Sequence, residues 1–248
     1  VDEVRGMVES NEANMCGEDT EIQLKLARNA LSMHDYAAAG QRYKKLADTY
    51  SNWETCFYSV YCEAAICAVS DISDNCLTLK DSLGKVFSLI ELQVSQNERA
   101  EVAEKVFKDA VHIACKQYSR ALETFIKVDP SIKSSFVKDL SAQLNSSMAI
   151  ITHCCEMIRD FFDDSKYDTL LAYGYKKVLE CKLMQRYIHL RLTPTADEML
   201  ELLDKHEPEF AKNYRNRYKK KKSKAALIWG IALASAVLAA VVFGIAFK

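Results

Sequence analysis

Apolar residues recur three and four positions apart through most of the chain, the spacing that aligns them on one face of an α-helix. Trp53, Phe57, Val60, Tyr61, Ala64, Cys67 and Ala68 form one such stripe. Val106, Ala110, Ala114, Tyr118, Ala121 and Phe125 form a second, in a segment running from about Asn97 to Lys127. A third passes through Val137, Leu140, Leu144, Met148, Ile151, Cys155, Ile158 and Phe162, and a fourth through Leu171, Tyr175, Leu179, Leu183 and Tyr187. Each stripe predicts a helix with one buried face. Three of these segments approach 30 residues, which suits lengthwise packing as antiparallel hairpins.

Helix-start signals divide the same stretch. Thr20 followed by Gln23, Ser51 by Glu54, Ser95 by Glu98 and Thr195 by Glu198 all have the capping-box spacing. In that motif the hydroxyl and the later side chain satisfy amides that the first helical turn leaves unpaired. Asp129 before Pro130, and Ser165 before Asp168, mark two further starts. Between Pro194 and Pro208 the pattern Met199, Leu200, Leu202, Leu203 predicts a short amphipathic helix from Thr195 to His206, and Pro208 suits the first turn of a following helix that runs on toward the C-terminus.

After Lys224 no charged position occurs before Lys248. Residues 225 to 247 are 23 in number and uncharged, and at helical rise they cover about 34 Å against a hydrocarbon core of about 30 Å. They are expected to form a transmembrane helix. Trp229 near one end, Phe243 and Phe247 at the other, and Tyr214 and Tyr218 before it occupy places where aromatic rings anchor at a membrane interface. Ala232, Ala236, Ala240 and Gly244 recur every fourth residue, a small-residue strip that permits packing against a second such helix and hence a homo-oligomer.

Residues 24 to 47, LKLARNALSMHDYAAAGQRYKKLA, read as two helices meeting at Asp35-Tyr36, and this hairpin resembles one tetratricopeptide repeat. Leu26 and Ala27 match the Leu-Gly pair of the first helix, and Ala39 and Tyr43 match the small and aromatic positions of the second. His34 stands where the pattern prefers Gly, and Ser51 stands where it usually has Pro. The resemblance implies protein or peptide binding in a helical groove and identifies no ligand.

Charge changes the picture more than composition does. With 7 Gly and 3 Pro the chain has too few breakers for an all-β fold. The net charge of −1 conceals an acidic body, since the residues before Lys212 hold 24 Lys plus Arg against 34 Asp plus Glu. Eight bases then follow without an acid: Lys212, Arg215, Arg217, Lys219, Lys220, Lys221, Lys222 and Lys224. Lying directly before the predicted span, they point to anionic lipid headgroups as the partner, and not to nucleic acid. The side carrying the bases is retained in the cytoplasm, so the N-terminal body is expected there, on a single-pass protein that is tail-anchored if Lys248 is its natural end and a signal anchor if the natural chain continues.

The nine cysteines are odd in number and irregularly spaced, which fits small apolar residues in a reducing compartment better than a disulfide framework. His112 with Cys115, His153 with Cys154 and Cys155, and Cys62 with Cys67 are the groups that tempt a metal reading. No C-x-x-C pair, phosphate-cradling glycine loop, nucleophile elbow or H-E-x-x-H motif accompanies them. No cofactor and no catalytic role are expected.

The expectation is therefore an all-α protein. Residues 1–19 form an acidic arm. Residues 20–206 form a helical domain, tetratricopeptide-like over 20–69 and a bundle of long antiparallel helices over 70–206. Residues 207–224 are a basic neck, and 225–247 the single transmembrane helix. The function expected of it is that of a membrane-anchored adaptor presenting a binding surface to an unidentified protein partner. Two alternatives stand beside it: a structural subunit of a larger membrane assembly, and a Cys/His-dependent enzyme or metal-binding regulator.

Overall fold

The computed structural model describes residues 19–162, 167–184 and 195–217. These are helical nearly throughout, with no strand among the described residues. They fall into two compact units divided between Ala196 and Asp197. The predicted membrane span, residues 218–224 of the basic neck and residues 1–18 of the acidic arm lie outside the described residues. No helix among the described residues is long and apolar enough to cross a membrane.

The first unit opens with two hairpins. Helix α1 (residues 19–32) turns into α2 (Tyr36–Thr49), and α3 (Trp53–Ile66) leads through a 3-10 turn at Val69–Asp71 into α4 (Ile72–Gln93). The long helices α5 (Arg99–Lys127) and α6 (Val137–Phe161) follow, and α7 (Asp168–Met184) completes the unit. Helix α6 is the centre of the bundle, packed against α4, α5 and α7, while α3 joins the α1–α2 hairpin to α4 and α5.

The α1–α2 turn is a Schellman motif. The amide of Asp35 donates to the carbonyl of Ala30 and that of His34 to Leu31, which closes the end of α1. The geometry demands a left-handed residue after the helix, and His34 supplies it at φ 60°. The residue that departs from the Gly preference of the repeat pattern is thus the one held in a conformation that favours glycine. Asp35 then caps α2 through its side chain, which accepts from the amide of Ala38 at 3.0 Å.

The predicted stripes of α5 and α6 face the core. Val106, Ala110, Ala114, Tyr118, Ala121 and Phe125 are all buried, as are Leu140, Leu144, Met148, Ile151, Cys155 and Ile158. Helix α3 differs from its predicted stripe: beside Phe57, Tyr61 and Ala64 it buries Tyr58, Cys62 and Ala65. It packs on α2, α4 and α5 together, so one apolar face does not suffice. Helix α4 fills a stretch for which no stripe is singled out above, and its Ile72, Cys76, Leu79, Leu83, Val86, Phe87 and Ile90 are a major part of the core.

Several start signals are displaced. The capping box of α3 is built by Asn52 and Thr55, at 2.8 and 3.1 Å, and not by Ser51 and Glu54. The physical reason is that Glu54 turns inward to an ion pair and is not free to reach back. At Asp129-Pro130 the chain makes an Asx turn, with Asp129 accepting from Ser131, and α6 starts only at Val137 after a 3-10 turn. Helices α7 and α8 (Ala196–His206) start at or beside their predicted positions.

In the second unit, α8 is followed after one residue by α9 (residues 208–217), with Pro208 at its first position as expected. Met199, Leu200, Leu203, Ala211 and Tyr214 are buried. Arg215 of α9 grips Asp204 of α8 with both guanidinium nitrogens, at 2.6 and 2.7 Å.

Candidate functional site

The densest polar chemistry in the first unit lies where α1, α2, α3 and α5 meet. Because Asn52 and Thr55 cap α3, Glu54 sits in its first turn with its side chain directed into the hairpin. Its carboxylate is buried, and it accepts from Arg28 Nε at 2.7 Å and Nη2 at 2.5 Å, and from the Tyr43 hydroxyl at 3.0 Å. A buried carboxylate with three donors and a two-pronged guanidinium is satisfied in the way burial requires. The position near the helix N-terminus adds a favourable dipole.

Next to it Tyr58 donates to Asp109 of α5 at 2.7 Å. The rings of Tyr43 and Tyr58 stack with centroids 5.3 Å apart, and Phe57, Tyr61 and Tyr36 continue the aromatic layer. Lys105 lies over the Tyr58 ring and Lys116 over Tyr36. Burial, followed by the neighbouring carboxylates, pushes the Tyr43 and Tyr58 phenols far above their ordinary range. These phenols keep their protons at neutral pH and serve as donors to fixed carboxylates, which gives them no capacity as bases.

One recess opens at this network and another lies along the first hairpin. A cleft of about 540 Å³ is lined by Arg28, Trp53, Glu54, Glu101, Lys105, Lys108 and Asp109 among others. A larger groove of about 1080 Å³ runs along α1 and α2, lined by Leu24, Ala38, Gln41, Arg42, Lys45 and Tyr50 among others. Within it Arg42 donates to Gln23 at 3.0 Å, so part of its polar rim is already oriented.

The helix ends beneath this layer are closed by side chains of the bundle. Gln117 donates to the carbonyl of Ala64, and Arg120 bonds both Gln117 and the carbonyl of Cys67, at 2.8 and 3.0 Å. Gln143 of α6 donates to Val69 at 2.8 Å. The last carbonyls of α3 are thereby satisfied from α5, which fixes the hairpin pair onto the long helices.

Of the residues singled out from sequence, Lys212 and Arg217 lie exposed on α9. Arg215 is committed to Asp204, and Tyr214 is buried with its ring 6.3 Å from that of Phe210. Tyr218, Lys219, Lys220, Lys221, Lys222, Lys224, Trp229, Ala232, Ala236, Ala240, Phe243, Gly244 and Phe247 lie outside the described residues. The metal groupings do not assemble: among the described residues no set of three or more His, Cys, Asp or Glu is placed to hold an ion. Cys62, Cys76, Cys154, Cys155 and Cys181 are buried. Burial pushes the Cys76 thiol up to about 11 and those of Cys62 and Cys155 up to about 12.

The Arg28–Glu54–Tyr43 and Tyr58–Asp109 contacts have no counterpart in the sequence reading. The only local signal was Glu54 near an N-cap, which has a sufficient explanation in capping alone. No protein-family description matches the chain, and no curated protein or solved structure is significantly similar to it.

Proposed function

We propose that the chain is a single-pass membrane protein whose helical body is an adaptor, holding a partner protein or peptide at the cytoplasmic surface of a bilayer. The observation that carries this reading is the open α1–α2 groove. In the hairpin that resembles a tetratricopeptide repeat, Ala27, Ala39 and Tyr43 are buried as packing residues, while the groove of about 1080 Å³ beside them stays accessible. Leu24 and Tyr50 supply apolar contact there, and Gln41, Arg42 and Lys45 supply donors, the mixture expected of a site for an extended or helical peptide.

The anchor in this reading is the uncharged stretch 225–247, and the neck from Lys212 to Lys224 binds anionic headgroups, each base contributing about 1 kcal/mol. The acidic body is repelled by the same surface within a Debye length of about 8 Å. It therefore stands off, open to a partner.

The test is affinity capture from native membranes using the full chain and a form carrying Arg42→Glu and Lys45→Glu. Both side chains lie on the groove, so the fold should persist while the captured partners are lost. Equal capture by both forms would remove the groove from the account.

A further inference from the structure

The connection between α5 and α6 presents apolar side chains to water. Ile126 at the end of α5, Ile132 before the 3-10 turn and Phe136 at its end are 56%, 52% and 43% exposed. The connection is nevertheless tied down. Asp129 accepts from the amide and hydroxyl of Ser131 at 2.8 and 2.6 Å. Lys133 donates to the carbonyl of Ile126 at 3.1 Å, with its ammonium 5.1 Å from the centre of the buried Phe125 ring. The exposed apolar residues are thus carried on a built turn. Others, such as Met33 and Leu92, stand singly along the chain and call for no explanation.

Charge at this tip is opposite to that of the body. Residues 126–138 carry Lys127, Lys133 and Lys138 against Asp129, between Glu123 and Asp139, whereas the chain before Lys212 holds 24 Lys plus Arg against 34 Asp plus Glu. Lys127 and Lys138 are exposed and enter no ion pair among the described residues. The tip also lies at the end of the first unit where the chain leaves it. Along α5, Phe107 faces Gly174 of α7, and Tyr118 donates to the backbone carbonyl of Cys181 at 2.9 Å. The two contacts advance together, so α7 runs in the direction of α5 and ends toward the tip. From there the sequence continues to the basic neck and the uncharged stretch 225–247. The α1–α2 groove lies toward the other end, since Lys116 covers Tyr36 of α2, and Asp109 accepts from Tyr58, which stacks on Tyr43. At helical rise Lys127 is about 16 Å beyond Lys116 and about 27 Å beyond Asp109 along α5.

We propose that the α5–α6 tip is a second membrane-contact site, in which Ile126, Ile132 and Phe136 enter the interfacial layer of an anionic bilayer while Lys127 and Lys138 meet its headgroups. Lys133 braces the turn that presents them. This rests on the reading of 225–247 as an anchor and adds the posture of the first unit to it. Apolar side chains flanked by lysines match the two layers they meet, the acyl boundary and the phosphates above it. The contact can be weak in itself, because the anchor makes it an intramolecular event with a high effective concentration. With the tip down, the groove end is raised by more than the Debye length of about 8 Å, so the acidic remainder of the body still stands clear of the surface.

The test places the full chain carrying Phe136→Trp in nanodiscs of acyl-brominated lipid, one set of phosphatidylcholine and one of an equal mixture of phosphatidylcholine and phosphatidylglycerol. Fluorescence of the added indole is read after subtracting that of the unaltered chain, which comes from Trp53 and Trp229. The expected result is quenching at least about two-fold stronger in the anionic discs than in the neutral ones. Lys127→Gln together with Lys138→Gln should lower it to the neutral-disc level, and both side chains are exposed, so the fold persists. Discs that retain the chain while the added indole stays unquenched with water-like emission would overturn the tip contact and leave the anchor standing. Undiminished quenching in the double Gln form would overturn it too. Blue-shifted emission without bromine quenching would place the tip against protein, a second copy included, and so contradict it. A chain that the discs do not retain would remove the anchor, and the tip contact with it.

Discussion

The Glu54 carboxylate, buried in the first turn of α3, receives both prongs of the Arg28 guanidinium from α1, at 2.7 and 2.5 Å. The Arg28 side chain is 54% exposed and that of Glu54 6%, so the two ends of the pair respond differently to loss of a partner. Removing Arg28 strands a buried charge on Tyr43 alone. For a fully buried pair this costs about 3–5 kcal/mol. Because the guanidinium stays half in water, Arg28→Ala is expected to cost about 2 kcal/mol in urea unfolding of the full chain in detergent. Tyr43→Phe, which removes one neutral donor, should cost about 1 kcal/mol. If the two substitutions proved strictly additive, they would not belong to one network.

His34 is held in the left-handed region by the Schellman motif at the end of α1. Replacing it by Gly relieves strain of about 1–2 kcal/mol and returns part of that through the freer unfolded chain. The expected result for His34→Gly is a gain of about 0.5–1 kcal/mol, against a loss of more than about 1 kcal/mol for His34→Val. Thermal unfolding of the two variants in parallel checks this. A destabilised Gly form would mean that the His34–Tyr36 hydrogen bond at 3.1 Å outweighs the backbone.

Gly174 lets α7 approach its neighbours closely. A Cβ there would lie 2.7 Å from the Cys155 sulfur and 2.9 Å from Cζ of Phe107. Gly174→Ala is expected to destabilise by about 1–3 kcal/mol through overpacking, although Ala favours a helix over Gly by about 1 kcal/mol. Adding Cys155→Ala should recover part of the loss. No recovery would place the clash on Phe107 alone.

How much of this is legible in the chain depends on whether the cause is local. The stripes of α5 and α6 could be read because each helix buries a continuous face, from Val106 to Phe125 and from Leu140 to Ile158. Helix α4 is harder to see, since its apolar positions are interrupted by Thr78, Lys80, Asp81, Ser82 and Lys85, and Gly84 falls in its interior. The pairing of Arg28 with Glu54 spans 26 residues and that of Tyr58 with Asp109 spans 51. No spacing rule brings such groups together, because the packing of α1 and α5 on α3 decides it. His34 was the exception, since a departure from a Gly preference marked a backbone position that the structure holds at positive φ.

The two-pronged hydrogen bond from Arg215 holds the Asp204 carboxyl below the usual carboxylate range. Its folded-state pKa is below its unfolded value, so the contribution of the pair is fully present above the unfolded pKa and is lost as pH falls through the folded one. Carbon-detected NMR titration of Asp204 should therefore show a depressed midpoint, which rises to the ordinary range in Arg215→Gln and also with added salt, as befits an exposed pair. A midpoint unmoved by Arg215→Gln would contradict the pairing.

In the proposed arrangement the helical body is exposed at the cytoplasmic face and held there by the segment 225–247. Protease added to sealed, cytoplasmic-side-out membrane vesicles containing the full chain tests it most directly. The proposed arrangement predicts digestion of everything before the basic neck, with a short protected fragment containing residues 225–247 retained in the membrane pellet. A body that stays intact until detergent opens the vesicles, or a full chain recovered in the supernatant, would contradict it.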